Sequence, residues 1–260
     1  MRLLKRIKRR IFKIGSVLFK KKKKPNKNAI WVFGMQKSGT TAIAGLLSHR
    51  SGLSVTLDTE MLWNPYFKDI LEGRLDFIKH INANPDDFSN QIIKEPSASQ
   101  LINFIEDYFN LEKYIFIYRD PHDVIRSILN RLDIPGDKIN IDIDSVDVNW
   151  RYIFGDGTNY IEKLANLWLK VYSQDDYIYN SNALFVNYDI FKKDKIKFID
   201  NLCSELQLPR KNDISDIINK DFQPRGNSNV DLKLFFGEHN FQVILSICDE
   251  KKRSLEQCFV

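Results

Sequence analysis

From residue 29 onward the chain alternates short apolar runs with longer amphipathic stretches. Ala29-Ile30-Trp31-Val32-Phe33 is apolar and β-rich, and Ala42 to Leu47 opens a helical pattern behind it. Leu53 to Leu57 alternates like a strand, and residues 65–79 read as helical material broken at Gly73. Gln91 to Lys94 forms the next strand, which Pro96 stops, and Ser97 to Phe109 reads as a helix. Lys113 to Tyr118 is a further buried strand, with Pro121 suited to the first turn of a helix carrying Val124, Ile125, Ser127 and Ile128. A polar stretch over residues 132–157 then precedes a strongly amphipathic helix, Asn159 to Ser173, in which Trp168 falls on the core side. Ala183 to Asp189 is the last strand, followed by helices over Lys195–Leu206 and, after a turn-rich loop, Glu238–Gln257. Strand and helix in alternation predict an α/β fold of three layers, α/β/α, around a central parallel sheet.

Composition changes this picture at one end only. The 260 residues suffice for one full domain, and no repeat or Gly/Ser-rich linker divides them. Of 39 Lys and Arg, twelve fall within residues 1–24, which hold no acid; the 27 that remain face 34 acidic residues. The body is therefore acidic despite an overall charge of +5, which argues against a broad nucleic-acid surface. Residues 1–24 interleave Leu3, Leu4, Ile7, Ile11, Phe12 and Ile14 with Lys and Arg at near-helical spacing. They have neither the roughly twenty apolar residues of a spanning helix nor the cleavage pattern of a signal peptide. A basic amphipathic helix on an anionic membrane surface fits, each Lys or Arg there contributing on the order of 1 kcal/mol. A solvated tail is the plainer alternative, and Pro25 to Asn28 reads as a hinge. Cys203, Cys248 and Cys258 lack paired spacing and suggest a reducing compartment, hence a cytoplasmic protein, peripheral on the inner membrane face if the tail binds there. The four histidines show no metal-ligand spacing.

The chemistry gathers in Phe33-Gly34-Met35-Gln36-Lys37-Ser38-Gly39-Thr40-Thr41, a Gly-bearing turn between strand and helix. Such a turn aims unpaired backbone N–H groups and the positive end of the helix dipole at an anion. A nucleotide-hydrolase loop requires Lys directly after its second Gly, where Thr40 stands here; the lysine present, Lys37, precedes Gly39. Lys37 to Thr41 after a strand resembles the 5′-phosphosulfate loop of the sulfotransferases that use 3′-phosphoadenosine 5′-phosphosulfate (PAPS), although Gln36 stands where that family often has Pro. Arg119 at a strand end and Ser127 eight residues on resemble the same family's 3′-phosphate site. Physically, Arg119 offers a planar fork for phosphate oxygens and Ser127 a hydroxyl. Arg225-Gly226, in the loop over Phe222–Ser228, loosely resembles the family's closing loop over that phosphate.

The resemblance divides the chain into a basic segment with hinge, 1–27, and a P-loop-like sulfotransferase domain, 28–260. It implies transfer of a sulfuryl group from PAPS to an acceptor hydroxyl or amine without a metal. Lys37 would stabilise charge on the bridging oxygen, and Gln36, Ser38, Gly39, Thr40 and Thr41 would line the 5′-phosphate. A general base must come from the strand edges, with Glu95 first, Glu60 second and Asp58 third. The acceptor is not written in any motif. A glycan or glycolipid of the cell envelope suits the basic tail, and a small phenol or alcohol stays open. A P-loop kinase or NTPase and a non-catalytic nucleotide-binding adaptor are the rival readings.

Overall fold

The computed structural model describes residues 23–218 and 230–259. Among them, β1 (Ile30–Phe33), β2 (Val55–Leu57), β3 (Ile92–Lys94), β4 (Tyr114–Tyr118) and β5 (Ala183–Asn187) form a parallel sheet of 5 strands in the order β2-β3-β1-β4-β5. Ile30 lies opposite Ile92 and Val32 opposite Lys94 on one side of β1, and Phe33 opposite Phe116 on the other. The longer helices are α1 (Thr40–Ser51), α2 (Pro121–Leu132), α3 (Tyr160–Tyr172), α4 (Lys195–Glu205) and α5 (Leu232–Glu256).

Side chains alternate across each strand, so the sheet buries two different faces. Trp31, Phe33, Phe116 and Tyr118 make an aromatic face covered by α2, α3 and α5 through Ile125, Leu164, Trp168 and Ile244. Val32, Ile115 and Ile117 make an aliphatic face covered by α1 and α4 through Ile43, Leu47, Ile199 and Leu202. These are the three expected layers. Burying Phe33 and Phe116 completely stabilises the aromatic side by about 1.5–3 kcal/mol each. From β1 the chain winds out to β2 and β3, then crosses to β4 and β5 on the other side. The winding reverses at β1, and a crevice opens at such a point beyond the C-terminal ends of the strands.

Local structure departs from the sequence pattern in three places. Ser97 to Phe109 is not one helix but a 3₁₀ turn, Pro96–Gln100, and a short helix, Ile102–Glu106. The reason lies in the serines: Ser99 Oγ accepts from Gly34 N–H at 2.8 Å, and Ser97 Oγ lies 2.9 Å from Leu62 O, drawing the turn onto neighbouring loops. Gly73, with φ of 71°, separates the short helices Tyr66–Leu71 and Phe77–Ala83, as expected. The last helix starts earlier than its pattern, at Leu232, with non-helical Gly237 marking where the uninterrupted run begins. Pro25 to Asn28 is tied down rather than loose: Asn26 N–H donates to Phe88 O at 2.7 Å, Asn110 N–H to Lys27 O at 2.7 Å, and the Lys27 ammonium sits 4.3 Å from the Tyr108 ring centre. The amphipathic reading of residues 1–22 lies outside the described residues.

Candidate active site

At the end of β1 the chain turns sharply. A methyl group on Gly34, whose φ is 137°, would come within 2.8 Å of Ile117 O on the adjacent strand, so only glycine lets the loop lie this close. Ser38 folds inward, its hydroxyl donating to Met35 O at 2.7 Å. That bend puts Lys37 in the left-handed region, φ 68°, a conformation that costs a non-glycine residue on the order of 1–3 kcal/mol. Gly39 follows at φ 95° and is the N-cap of α1, with no side chain capping the helix and no acid in its first turn. The amides at the start of α1 thus face the crevice with the positive end of the dipole behind them.

The β4 edge delivers the guanidinium. Arg119 Nη1 donates to the Lys37 carbonyl at 2.7 Å, so the two residues that the sequence places 82 positions apart share one cleft. The guanidinium carbon lies 4.7 Å from the centre of the Tyr188 ring, and that ring also fills the space where a side chain on Gly39 would go. Trp168 Nε1 donates to Arg119 O at 3.1 Å and fixes the backbone. Arg119 Nε is buried without a hydrogen-bond partner among the described residues. Ser127, two turns into α2, is half-buried, and its hydroxyl has no hydrogen-bond partner among them either. Asp120 caps α2, accepting from His122 N–H at 2.9 Å, and pairs with Lys252 Nζ of α5 at 2.6 Å.

On the other side of β1 stand the carboxylates. Asp58 follows β2 with φ 72°; its N–H donates to Lys94 O at 2.9 Å, and its carboxylate pairs with the buried Lys94 ammonium. Glu95 is 1% exposed and saturated with donors. Its Oε1 accepts from Ser97 N–H at 3.1 Å and Ser97 Oγ at 2.7 Å, and its Oε2 from Thr59 N–H and Trp63 Nε1, each at 3.0 Å. Burial pushes the Glu95 carboxyl up, with the Lys94 ammonium and these donors offsetting part of the rise. Glu60 lies exposed at the start of a 3₁₀ turn. The polar stretch after α2 enters the site through Tyr152, whose hydroxyl accepts from Gln36 Nε2 at 2.8 Å. Burial, and then the Glu95 charge, push the Tyr152 phenol up.

The lysine at the centre feels all of this. Burial, then Arg131, Arg119 and Lys94 in that order, bring Lys37 down to about 8. Its field therefore joins both strand edges and adds Arg131, which sits one helical turn beyond Ser127 on the same face of α2. Arg131, Tyr188, Tyr152 and Lys94 were not singled out by the sequence. Only the four-residue step from Ser127 to Arg131 offered a signal; the others arrive through tertiary contacts. Arg225 and Gly226 lie outside the described residues. Among the described residues no group of three or more His, Cys, Asp or Glu side chains is placed to hold a metal ion, and no helix is long and apolar enough to cross a membrane. Uncapped amides, a cationic lysine and a buried guanidinium nitrogen in want of an acceptor fit a ligand with two anionic ends.

Comparison with known proteins bears on the fold and the family. No curated protein matches the chain in sequence. Solved structures match it in fold over nearly the whole length at low identity. The sulfotransferase domain from the curacin biosynthetic pathway has a TM-score of 0.50 at 16% identity, covering 91% of this chain and 98% of the other. Mouse sulfotransferase SULT7A1, complexed with PAP, has a TM-score of 0.50 at 14% identity, covering 90% and 89%. Sulfotransferase STF9 from Mycobacterium avium has a TM-score of 0.52 at 13% identity, covering 94% and 81%. A family model described as a sulfotransferase domain matches residues 27–225. That match sets aside the kinase and adaptor readings, and Thr40 in the place of the hydrolase lysine agrees with it. The chain belongs to the sulfotransferase domain family.

Proposed function

We propose that this chain moves a sulfuryl group from PAPS to a hydroxyl or amine of an acceptor. The observation that carries the reading is the joining of Lys37 and Arg119, by a 2.7 Å hydrogen bond, at the point where the sheet's winding reverses. One ligand then spans a phosphosulfate loop and a guanidinium with an unused donor. Mouse SULT7A1, complexed with PAP and sharing this fold, supports the nucleotide. When bound, PAPS supplies an activated sulfuryl group and leaves as adenosine 3′,5′-bisphosphate. Lys37 neutralises charge growing on the bridging oxygen, and the amides and hydroxyls of Ser38 to Thr41 hold the 5′-phosphate with Gln36 beside them. Arg119 and Ser127, with Arg225 and Gly226, hold the 3′-phosphate. No metal ion takes part.

For the base, the geometry favours Asp58 over Glu95, with Glu60, exposed at the start of its 3₁₀ turn, as the second open carboxylate. Glu95 has no lone pair left for an acceptor proton, because a carboxylate offers about four acceptor sites and four donors occupy them. Asp58 keeps one oxygen beyond its pair with Lys94 and is 35% exposed at the rim of the crevice. It takes the acceptor proton as the acceptor oxygen bonds to sulfur. The acceptor is a glycan or glycolipid of the cell envelope, reached by a cytoplasmic enzyme whose residues 1–24 rest on an anionic membrane face.

Thermal stabilisation by adenosine 3′,5′-bisphosphate and not by ATP with magnesium is the expected outcome, followed by transfer of ³⁵S from labelled PAPS into a cell extract. Stabilisation by ATP alone, or no transfer, overturns the reading. Removal of residues 1–24 should abolish binding to phosphatidylserine vesicles; unchanged binding removes the membrane-bound acceptor.

A further inference from the structure

Asp58 holds a left-handed backbone conformation, φ 72°, uncommon for an L-residue though better tolerated by Asp than by most, and its surroundings fix it there. On its N-terminal side the enforcing bonds come from Lys94, through the carbonyl that accepts from Asp58 N–H and the ammonium that pairs with its carboxylate. On its C-terminal side they come chiefly from one side chain, Glu95, beside the bond that the Thr59 hydroxyl donates to Asp87 Oδ1 at 3.0 Å. Glu95 Oε2 takes the N–H of Thr59, the next residue, and the indole N–H of Trp63, where the 3₁₀ turn Glu60–Leu62 ends. Oε1 is anchored in turn by Ser97, whose hydroxyl also contacts Leu62 O at 2.9 Å. The carboxylate thus laces the Thr59–Trp63 turn to the β3 edge at both ends, with Asp58 held between that lacing and Lys94.

We infer that Glu95 is a positioning residue, a clamp whose four hydrogen bonds to the Thr59–Trp63 turn and Ser97 hold the Asp58 carboxylate in place to receive the acceptor proton. The inference rests on the reading of Asp58 as base. It assigns Glu95 no proton transfer. Replacing Glu95 by Gln keeps the shape but turns one acceptor oxygen into a donor, which then faces another donor at Trp63 and Thr59 or at Ser97.

The test uses the full chain with Glu95→Gln, Trp63→Phe, Asp58→Asn and the Glu95→Gln/Trp63→Phe pair. Three readouts are taken: affinity for adenosine 3′,5′-bisphosphate by calorimetry, ³⁵S transfer from saturating PAPS into a cell extract, and the ¹⁵N-resolved amide signals of Asp58 and the Trp63 indole. Glu95→Gln should leave nucleotide affinity within about twofold and slow turnover about tenfold, one lost charge-assisted contact's worth. It should also shift both NMR signals. Trp63→Phe, which keeps the fold with a similar ring, should move the Asp58 amide the same way, and the pair should be no slower than Glu95→Gln alone. Asp58→Asn should slow turnover about 10²–10⁴-fold. An Asp58 amide unmoved by Glu95→Gln and Trp63→Phe overturns the clamp without reference to turnover. Loss of transfer in Glu95→Gln with activity kept in Asp58→Asn overturns it too, and makes Glu95 the base. Failure of the unaltered chain to bind the nucleotide or transfer label sinks the sulfotransfer reading instead, and leaves the NMR arm to decide the clamp.

Discussion

Lys37 is held where its own charge is unfavourable, and that makes it a good receptor for an anion. Burial and three neighbouring cations bring it to about 8 in the ligand-free protein. Below that value the folded chain carries a charge it does not favour; between about 8 and the ordinary lysine range the unfolded chain binds the proton that the folded chain has lost. This group therefore adds stability as pH rises through that window. Binding of a phosphosulfate reverses the sign, because the anion restores the charged lysine. Affinity for adenosine 3′,5′-bisphosphate should fall as pH rises past about 8, with proton uptake on binding at pH about 9, measured by calorimetry in buffers of different ionisation enthalpy. Lys37→Arg should flatten that pH dependence, and Lys37→Met should lower turnover by about 10²–10³, the usual loss for one oxyanion donor. Arg119→Lys keeps the charge but loses the planar fork and its stacking on Tyr188. It should narrow the preference for adenosine 3′,5′-bisphosphate over adenosine 5′-monophosphate by about tenfold or more, read from the two dissociation constants. Lys37 and Arg119 were legible because their neighbours in sequence carry the turn and strand that aim them. Tyr188 was not: it reads as a strand end, and only the packing of β5 beside β4 brings its ring over Gly39.

At the scale of elements, the loop after β1 is a backbone device. Two glycines and an internally bonded serine shape it, and the helix behind it supplies amides. Gly39→Ala combines a left-handed φ with direct overlap on Tyr188, so the loop or the ring must move. Nucleotide affinity should drop by at least tenfold, since strain of about 1–3 kcal/mol is set against binding; a thermal shift with and without the nucleotide measures both consequences. The α2 N-terminus is latched from a distance. Burial pushes the Asp120 carboxyl up, but hydrogen bonds from His122 and Lys252 overcome it and hold the group well below the usual carboxylate range. A depressed carboxylate stabilises above its unfolded value and loses that contribution as pH falls, from about 4 downward. Lys252→Met should therefore reduce stability by about 1–2 kcal/mol near neutrality and by progressively less in acid, as followed by urea melts at several pH values. Helix and strand periodicity gave the elements themselves well, and failed over Ser97–Phe109, where hydroxyls serve neighbouring loops in place of their own helix.

Over the whole molecule, one reversal of winding at β1 gathers residues from positions 36 to 188 into a single crevice. What the sequence determined alone was the local chemistry: strand, glycine turn and helix around Lys37, strand and a helix opened by Pro121 around Arg119, and the layered fold that such alternation requires. Those follow from periodicity and from backbone conformations that only particular residues allow, and both are local properties. Tertiary structure separated the buried carboxylate from the open ones. Asp58, Glu60 and Glu95 look alike as acids at strand ends, and what separates them is the set of donors that packing brings to each. Glu95 spends its acceptor sites inside the fold, while Asp58 keeps one oxygen at the rim, because Thr59, Trp63 and Ser97 converge on Glu95 only when β2 and β3 lie side by side.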